Sequence, residues 1–425
     1  MKSFILFGWI ALLLCATSTA ADQTVTGAGN QQAAAIALKS PLVRSAMDFL
    51  VREAQQITDK SLREATLDIL DNPRTCVAHR TNLSSQDRKE ILQKLGAAQL
   101  IDPAYGSRFP GGLEAGVFPP LANQEQACPH LPQPFEAAPG SFFDGHHSYP
   151  GGLAIHEAFN EMSDLSLADD YRRLYGHLDS RGLPVLNREA SGDDLQIDQD
   201  IIIAASIWHD WAKDFVFQWN ADGTEFVELD FGGNGATDNY GAKGNSMTGA
   251  HHILGIAEAI KRGLRPDFVV ALASAHSAPA MGNEYKVANW IRAASIIARI
   301  DPVAKGYLTV DAEHHLRLPP LAALGSFDAR GGTPPEPFFL PEDTIHNLSD
   351  GNFFLAMPAT IEIVAILRKL APEFGYPAGG TAFNTSFRNP TLSYETSERL
   401  MFIYARKGLA GVRKQLLALR KSGLI

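Results

Sequence analysis

Apolar positions recur at helical spacing through most of the chain. Val43, Met47, Leu50, Ala54 and Ile57 predict a helix over 41–70, with Ser40 as N-cap and Pro41 at the first helical position. A second helical run covers 85–95 and stops at Gly96. Residues 102–141 are rich in Pro and Gly and read as loop. From 146 to 301 the pattern changes. Runs such as DIIIAASIWHDWAKDF, DFVVALASAHS and NWIRAASIIARIDP are apolar on nearly every face, as buried helices are. A polar interruption, 220–248, follows, and at its start FVFQW and EFVEL flank 220–224, which contains Ala-Asp-Gly, a hairpin signal. Its GGNGATDNYGAKGN stretch reads as a lid or substrate loop, with Tyr240, Lys243 and Asn245 as substrate contacts. Residues 316–342 read as Pro-rich loop, and 357–370 and 395–420 as C-terminal helices. The pattern predicts an all-α protein with one small β-hairpin insertion.

The start of the chain reads as an address. MKSFILFGWIALLLCATSTA has a basic start, an apolar stretch and small residues at Ser18 and Ala20, the three parts of a secretory signal peptide. Its apolar run is shorter than the roughly 20 residues a membrane span needs. The expectation is cleavage before Ala21, export to a periplasm or a secretory pathway, and no membrane span in the mature chain. Residues 21–31 are small and polar and read as disordered. The chain then divides into an N-terminal extension, 21–145, a histidine-bearing core, 146–305, and a C-terminal helical extension, 306–425.

Composition narrows the chemistry. The 425 residues carry 37 Lys+Arg against 47 Asp+Glu, a net charge of −10, which becomes −11 once Lys2 leaves with the signal. That balance disfavours nonspecific nucleic-acid binding but leaves a small phosphorylated substrate open, since a metal or a local cation can hold one. Two cysteines survive cleavage, Cys76 and Cys128, and an oxidising compartment favours a disulfide between them. Neither stands in zinc-ligand spacing. GxSxG, Walker and dinucleotide fingerprints do not occur in the sequence.

The histidines carry the chemical signal. His156 lies in YPGGLAIHEAFNEM, His209 and Asp210 in SIWHDWAKDF, His252 in TGAHHILGIAEAI, His276 at the end of DFVVALASAHS, and Asp301 at the end of NWIRAASIIARIDP. Five mostly apolar helices each offer an imidazole or a carboxylate. A buried His-Asp pair is costly unless the carboxylate is paired or metal-bound. Imidazole and carboxylate donors suit Mn, Fe, Zn, Co or Ni, and a bridging carboxylate can join two ions.

The ordered set resembles the HD-domain superfamily of metal-dependent phosphohydrolases. HHSYPGGLAIHEAF is similar to the HHAYxGGLLEHT string of the bacterial 3′–5′ exoribonuclease branch, and WHDWAKDF to the LHDIGK string that names the superfamily. AHHILGIA is similar to its GHIxxG segment, and ASAHSAP stands where that branch has SHH. The resemblance covers 146–301, about a third of the chain. The nucleic-acid-binding fold that precedes the core in that exoribonuclease is not apparent, so RNA activity is not implied.

The resemblance implies a helical HD core. It makes His156, His209, Asp210, His252, His276 and Asp301 metal ligands, with Asp210 bridging two ions. His252 is preferred to His251 because Ile253 then follows it as in the family string. Lys213, the Lys of HDxxK, would bind a substrate phosphate. His146 and His147 match the HH ahead of the first helix and either line the site or stabilise the turn. The implied activity is hydrolysis of a phosphomonoester or phosphodiester, nucleotide-like, by a metal-activated water. Trp211-Ala212 in place of Ile-Gly and the long 220–248 insertion depart from the pattern. The same ligand set serves di-iron oxygenases acting on a small polyol or phosphonate, which stand as the alternative. A non-catalytic metal-binding module is the third reading.

Overall fold

The apolar repeat over 41–70 is carried by two helices, Pro41–Ala54 and Lys60–Asp71. The break has a local cause. Thr58 N and Asp59 N donate to the Asp200 carboxylate at 2.8 and 2.7 Å, so the turn wraps a charged group from a distant helix. Asp59 then caps the second helix by accepting from Leu62 N. Further on, the helix Ser85–Ala97 starts with a Ser84/Asp87 capping box and runs through Gly96 rather than ending before it.

The protein is described by a computed structural model that covers residues 25–176, 178–183, 195, 197–233, 246–280, 282–312, 314–320 and 340–425. The expected signal segment, residues 1–20, and Tyr240, Lys243 and Asn245 lie outside the described residues. The fold is mostly helical. Among the described residues, the only paired strands are two short antiparallel pairs, Asp230–Phe231 with Thr248–Gly249 and Thr309–Val310 with Leu316–Arg317. The FVFQW/EFVEL hairpin is reduced to a single bridge between Trp219 and Glu225, because Lys213–Val216 is already helical. No described helix is long and apolar enough to cross a membrane.

Residues 25–31 are not disordered as their composition suggests. Gly29 N donates to Trp219 O at 2.8 Å, and a side chain at Gly29 would collide with Asn220. A helix, Asn30–Ala37, follows at once.

The main core gathers the helices Gln199–Trp208, Ala250–Lys261, Pro266–Ala273 and Glu284–Ala298 beneath the N-terminal helices. In Gln199–Trp208 every side chain from Asp200 to Trp208 is buried, as its apolar run requires. Each fully buried Leu or Ile there stabilises by about 1.5–3 kcal/mol. Trp208 donates its indole N–H to Thr66 at 3.0 Å, which ties the N-terminal extension to the core. A disulfide joins Cys76 and Cys128, 52 residues apart, as the cysteine usage anticipates.

The C-terminal helices Phe353–Leu370 and Ser397–Lys421 enclose a second apolar cluster into which Tyr149 inserts. Buried Arg388 reaches from there to Asp144, Ser148 O and Ser148 Oγ at 2.8–2.9 Å. The C-terminal extension therefore braces the loop that carries His146 and His147. The 24-residue helix Gly152–Tyr175 begins on Gly151, which has φ +85°. A side chain at Gly152 would run into the His147 carbonyl. The Pro-Gly-Gly string is thus what lets the loop fold across the start of the helix that bears His156.

Candidate metal centre

Four elements bring one cluster together. His156 projects from the first turns of Gly152–Tyr175, and His209 and Asp210 follow Gln199–Trp208. Asp350 begins a short 3-10 turn after the helix Pro341–Ser349. His156 Nε2 stands 3.2 Å from Asp210 Oδ2 and 3.2 Å from Asp350 Oδ1. His209 Nε2 stands 3.4 and 3.6 Å from the same two oxygens. Donors bonded at about 2.1 Å in octahedral or tetrahedral geometry lie about 3.0–3.4 Å apart, so this spacing suits one ion.

The other oxygen of Asp210 opens a second set. Its Oδ1 lies 3.1 Å from His251 Nε2, and His276 completes a group whose ligand atoms fall within 4.8 Å of one another. Asp210 therefore faces both groups, one oxygen to each.

The supporting hydrogen bonds aim the rings. His209 Nδ1 faces the Ser206 carbonyl at 2.9 Å and Glu157 at 3.3 Å, which directs Nε2 inward. His251 Nδ1 meets Glu228 Oε1 at 2.5 Å, and His276 Nδ1 meets Thr248 Oγ1 at 2.8 Å. A carboxylate or carbonyl behind an imidazole is the usual outer shell of a metal-ligating histidine.

Asp210 Oδ1, His209 Nε2 and His251 Nε2 are buried and, although the first and last lie 3.1 Å apart, none makes a well-aligned hydrogen bond. Such groups are costly unless something else satisfies them, and an ion between them would do so. The donor set fits a divalent cation: imidazoles and carboxylates, with both described cysteines tied up in the disulfide.

Electrostatics follow the same geometry. Burial works against ionising Asp210, but the His209 and Lys213 charges outweigh it and hold the carboxyl well below its ordinary range. Asp350 is held down by His156 and His209 in the same way. His251 rises to about 9, since Glu228 and Asp210 overcome the cost of burying its charge. His276, although exposed in the open cavity, is pushed down by the desolvation of its crowded surroundings and by the charge of the nearby His251.

The structure differs from the sequence expectation at two ligands. Asp301 does not join the cluster. The helix Glu284–Ala298 ends in a left-handed Arg299, and the chain turns outward. Asp301 is exposed and accepts from Val303 N and Ala304 N at 2.9 and 3.1 Å, capping the next turn. Asp350 takes the place expected of it. It lies in NLSDGN, a polar turn whose composition carries no metal signal.

The second correction concerns His252, whose neighbour His251 reaches Asp210 instead. Adjacent helical residues point about 100° apart. His252 turns to the Ala273 carbonyl at 3.1 Å and stacks on His276 at 4.2 Å, forming the layer beneath it.

Lys213 lines the cavity beside Asp210. It is buried, pairs with Asp210 and donates to the Gly140 carbonyl. His146 and His147 lie beside His156, with ring centroids 4.9 and 5.3 Å away, and His147 Nε2 also meets Glu398 at 3.1 Å. The cluster floors an open cavity of about 820 Å³ whose lining includes Asp210, Lys213, His251, His276 and Asp350. This chain has no match among protein-family models, curated proteins or solved structures.

Proposed function

We propose that the protein is a metal-dependent phosphohydrolase that cuts a phosphomonoester or phosphodiester. The observation that carries this reading is Asp210, which presents one oxygen to His156 and His209 and the other to His251. His156, His209, Asp210 and Asp350 would hold one divalent ion, and Asp210, His251 and His276 a second. Ions bound there would bring the pKa of a shared water toward neutrality and polarise phosphoryl oxygens.

The chain's own groups do the rest. Glu228 and the Ser206 carbonyl take the Nδ1 side of His251 and His209, so Nε2 is the atom each ring would offer to an ion. Lys213 sets a buried ammonium at the cavity floor, where it would stabilise the charge growing on phosphoryl oxygens. In the reaction, water's oxygen bonds to phosphorus as the P–O bond to the alcohol breaks. The alkoxide leaves with the proton that the attacking water loses. The Cys76–Cys128 disulfide supports export to an oxidising compartment.

The test is hydrolysis of mono- and diester substrates by the protein with Mn, Zn or Fe added, beside Asp210→Ala. Metal-dependent release of the alcohol from one of these esters, accompanied by inorganic phosphate where the substrate is a monoester, is expected and should vanish in Asp210→Ala. A protein that takes up oxygen with iron and hydrolyses neither ester with any metal would overturn the reading in favour of an oxygenase.

A further inference from the structure

Apolar side chains share the cavity with the ligand cluster. Phe142, Phe217, Leu348, Phe353 and Phe354 line it together with Asp210 and Lys213. Phe354 is 78 % exposed and stacks on Phe353 at 4.3 Å. Large aromatic side chains left facing water in this way mark binding surfaces more often than chance.

The apolar surface continues past the cavity. Leu348 also lines a neighbouring open groove of about 450 Å³ with Phe159, Met162 and Leu167, three serines and Asn352. Among the described residues, no ionisable side chain lines that groove. Its placement follows from helix geometry. Within Gly152–Tyr175, His156 and Asn160 are buried, while Phe159 and Met162 stand exposed on another face. Ser349 and Asn352, on either side of Asp350, lie in the groove as well. The groove therefore starts beside a candidate ligand and leads away from it.

Resting on the phosphohydrolase reading, we infer that the substrate is an amphiphile. Its phosphate would sit at the cluster, and a saturated alkyl or acyl chain would lie over Leu348 into the Phe159–Met162–Leu167 groove. Charge divides the surface accordingly. The cluster end is charged, with Lys213 and the imidazoles beside Asp210, Glu228 and Asp350, where bound ions would meet an anionic head, whereas the described side chains of the groove are apolar or neutral. A second phosphate or a polyol would leave its polar groups poorly matched there.

The experiment uses butyl-, hexyl- and octylphosphonate, which are not hydrolysed, all below their micellar concentrations. Binding to the Mn-loaded protein is followed by calorimetry, and the KM values of the matching alkyl phosphates are measured in parallel. Affinity should rise about two- to fourfold per methylene, as expected for methylenes leaving water. Met162→Asp should flatten that slope, and Met162→Leu should keep it.

Equal affinity for the three phosphonates would overturn the inference. So would an unchanged slope in Met162→Asp, or length dependence that appears only above the micellar concentration, which would indicate adsorption to an aggregate surface. Hydrolysis of butyl phosphate without length dependence would sink this inference alone. Length-dependent phosphonate binding without any hydrolysis would sink the phosphohydrolase reading alone.

Discussion

Two of the buried histidine–carboxylate clusters among the described residues are built differently. Around Glu258 the carboxylate itself is fully met, although His79 Nε2 is left without a partner. Its carboxylate accepts from Ala78 N at 2.9 Å, His79 N at 3.1 Å and Arg262 Nε at 2.7 Å, and faces His79 Nδ1 at 2.8 Å. Arg262 goes on to Asp68 at 2.7 Å. One guanidinium and several N–H donors thus satisfy the carboxylates, and the N-terminal extension is fastened to the core. Around Asp210 the bonding stays open. Imidazole Nε2 atoms and carboxylate oxygens converge, and several have no donor to meet. A buried His beside a buried acid is therefore not a metal signal in itself. Nε2 atoms converging on the same carboxylate are the feature that separates the two clusters.

That contrast is open to direct challenge. The largest effect is expected at Asp350. Asp350→Ala should lower metal-dependent turnover by more than about 100-fold and reduce the bound metal measured by elemental analysis. Asp301→Ala should leave both at the level of the parent protein, and the opposite result would restore the ligand set expected from the motif order. Glu228→Gln weakens the support behind His251 and should cost about 10- to 100-fold in metal affinity, read by competition with a chelator.

At the Glu258 cluster the losses should appear in stability. Glu258→Ala strands His79 and Arg262, and should lower unfolding free energy in urea by about 3–5 kcal/mol. Metal content per folded molecule should not change. Removing the disulfide with Cys76→Ser and Cys128→Ser together should cost about 2–4 kcal/mol in the same assay.

Acid should expose the smallest effect. Burial alone would raise Glu258, but His79 and Arg262 bring its folded pKa to about 2, below the ordinary 4.5. The stability it contributes is therefore fully present above pH 4.5 and is lost as pH falls toward 2. Urea midpoints of the parent and Glu258→Gln should converge over that window. A constant gap between them would show that Glu258 is not held ionised by its partners.

Much of this was legible without coordinates. Apolar runs around His156, His209, His252 and His276 predict buried helices, since side chains that apolar have nowhere else to go, and the helices are there. Cys76 and Cys128, the two cysteines beyond the leader-like segment, form the disulfide. The Pro-Gly-Gly string before His156 marks a turn that only small residues allow. Pattern alone misled where a long-range contact overrode local preference. Residues 41–70 break into two helices because Asp200 takes the amide hydrogens of Thr58 and Asp59.

The sequence by itself determined which helices are buried and that imidazoles and an Asp sit within them. Both follow from local hydrophobicity and residue identity. It did not determine which of two adjacent histidines faces Asp210, because that depends on the rotation of one helix about its axis. Nor could it reveal that the acid closing the first set comes from a polar turn at Asp350 rather than from the end of an apolar helix at Asp301. A carboxylate joins such a cluster through its place in space, and the left-handed Arg299 carries one away while the packing of Pro341–Ser349 brings the other in.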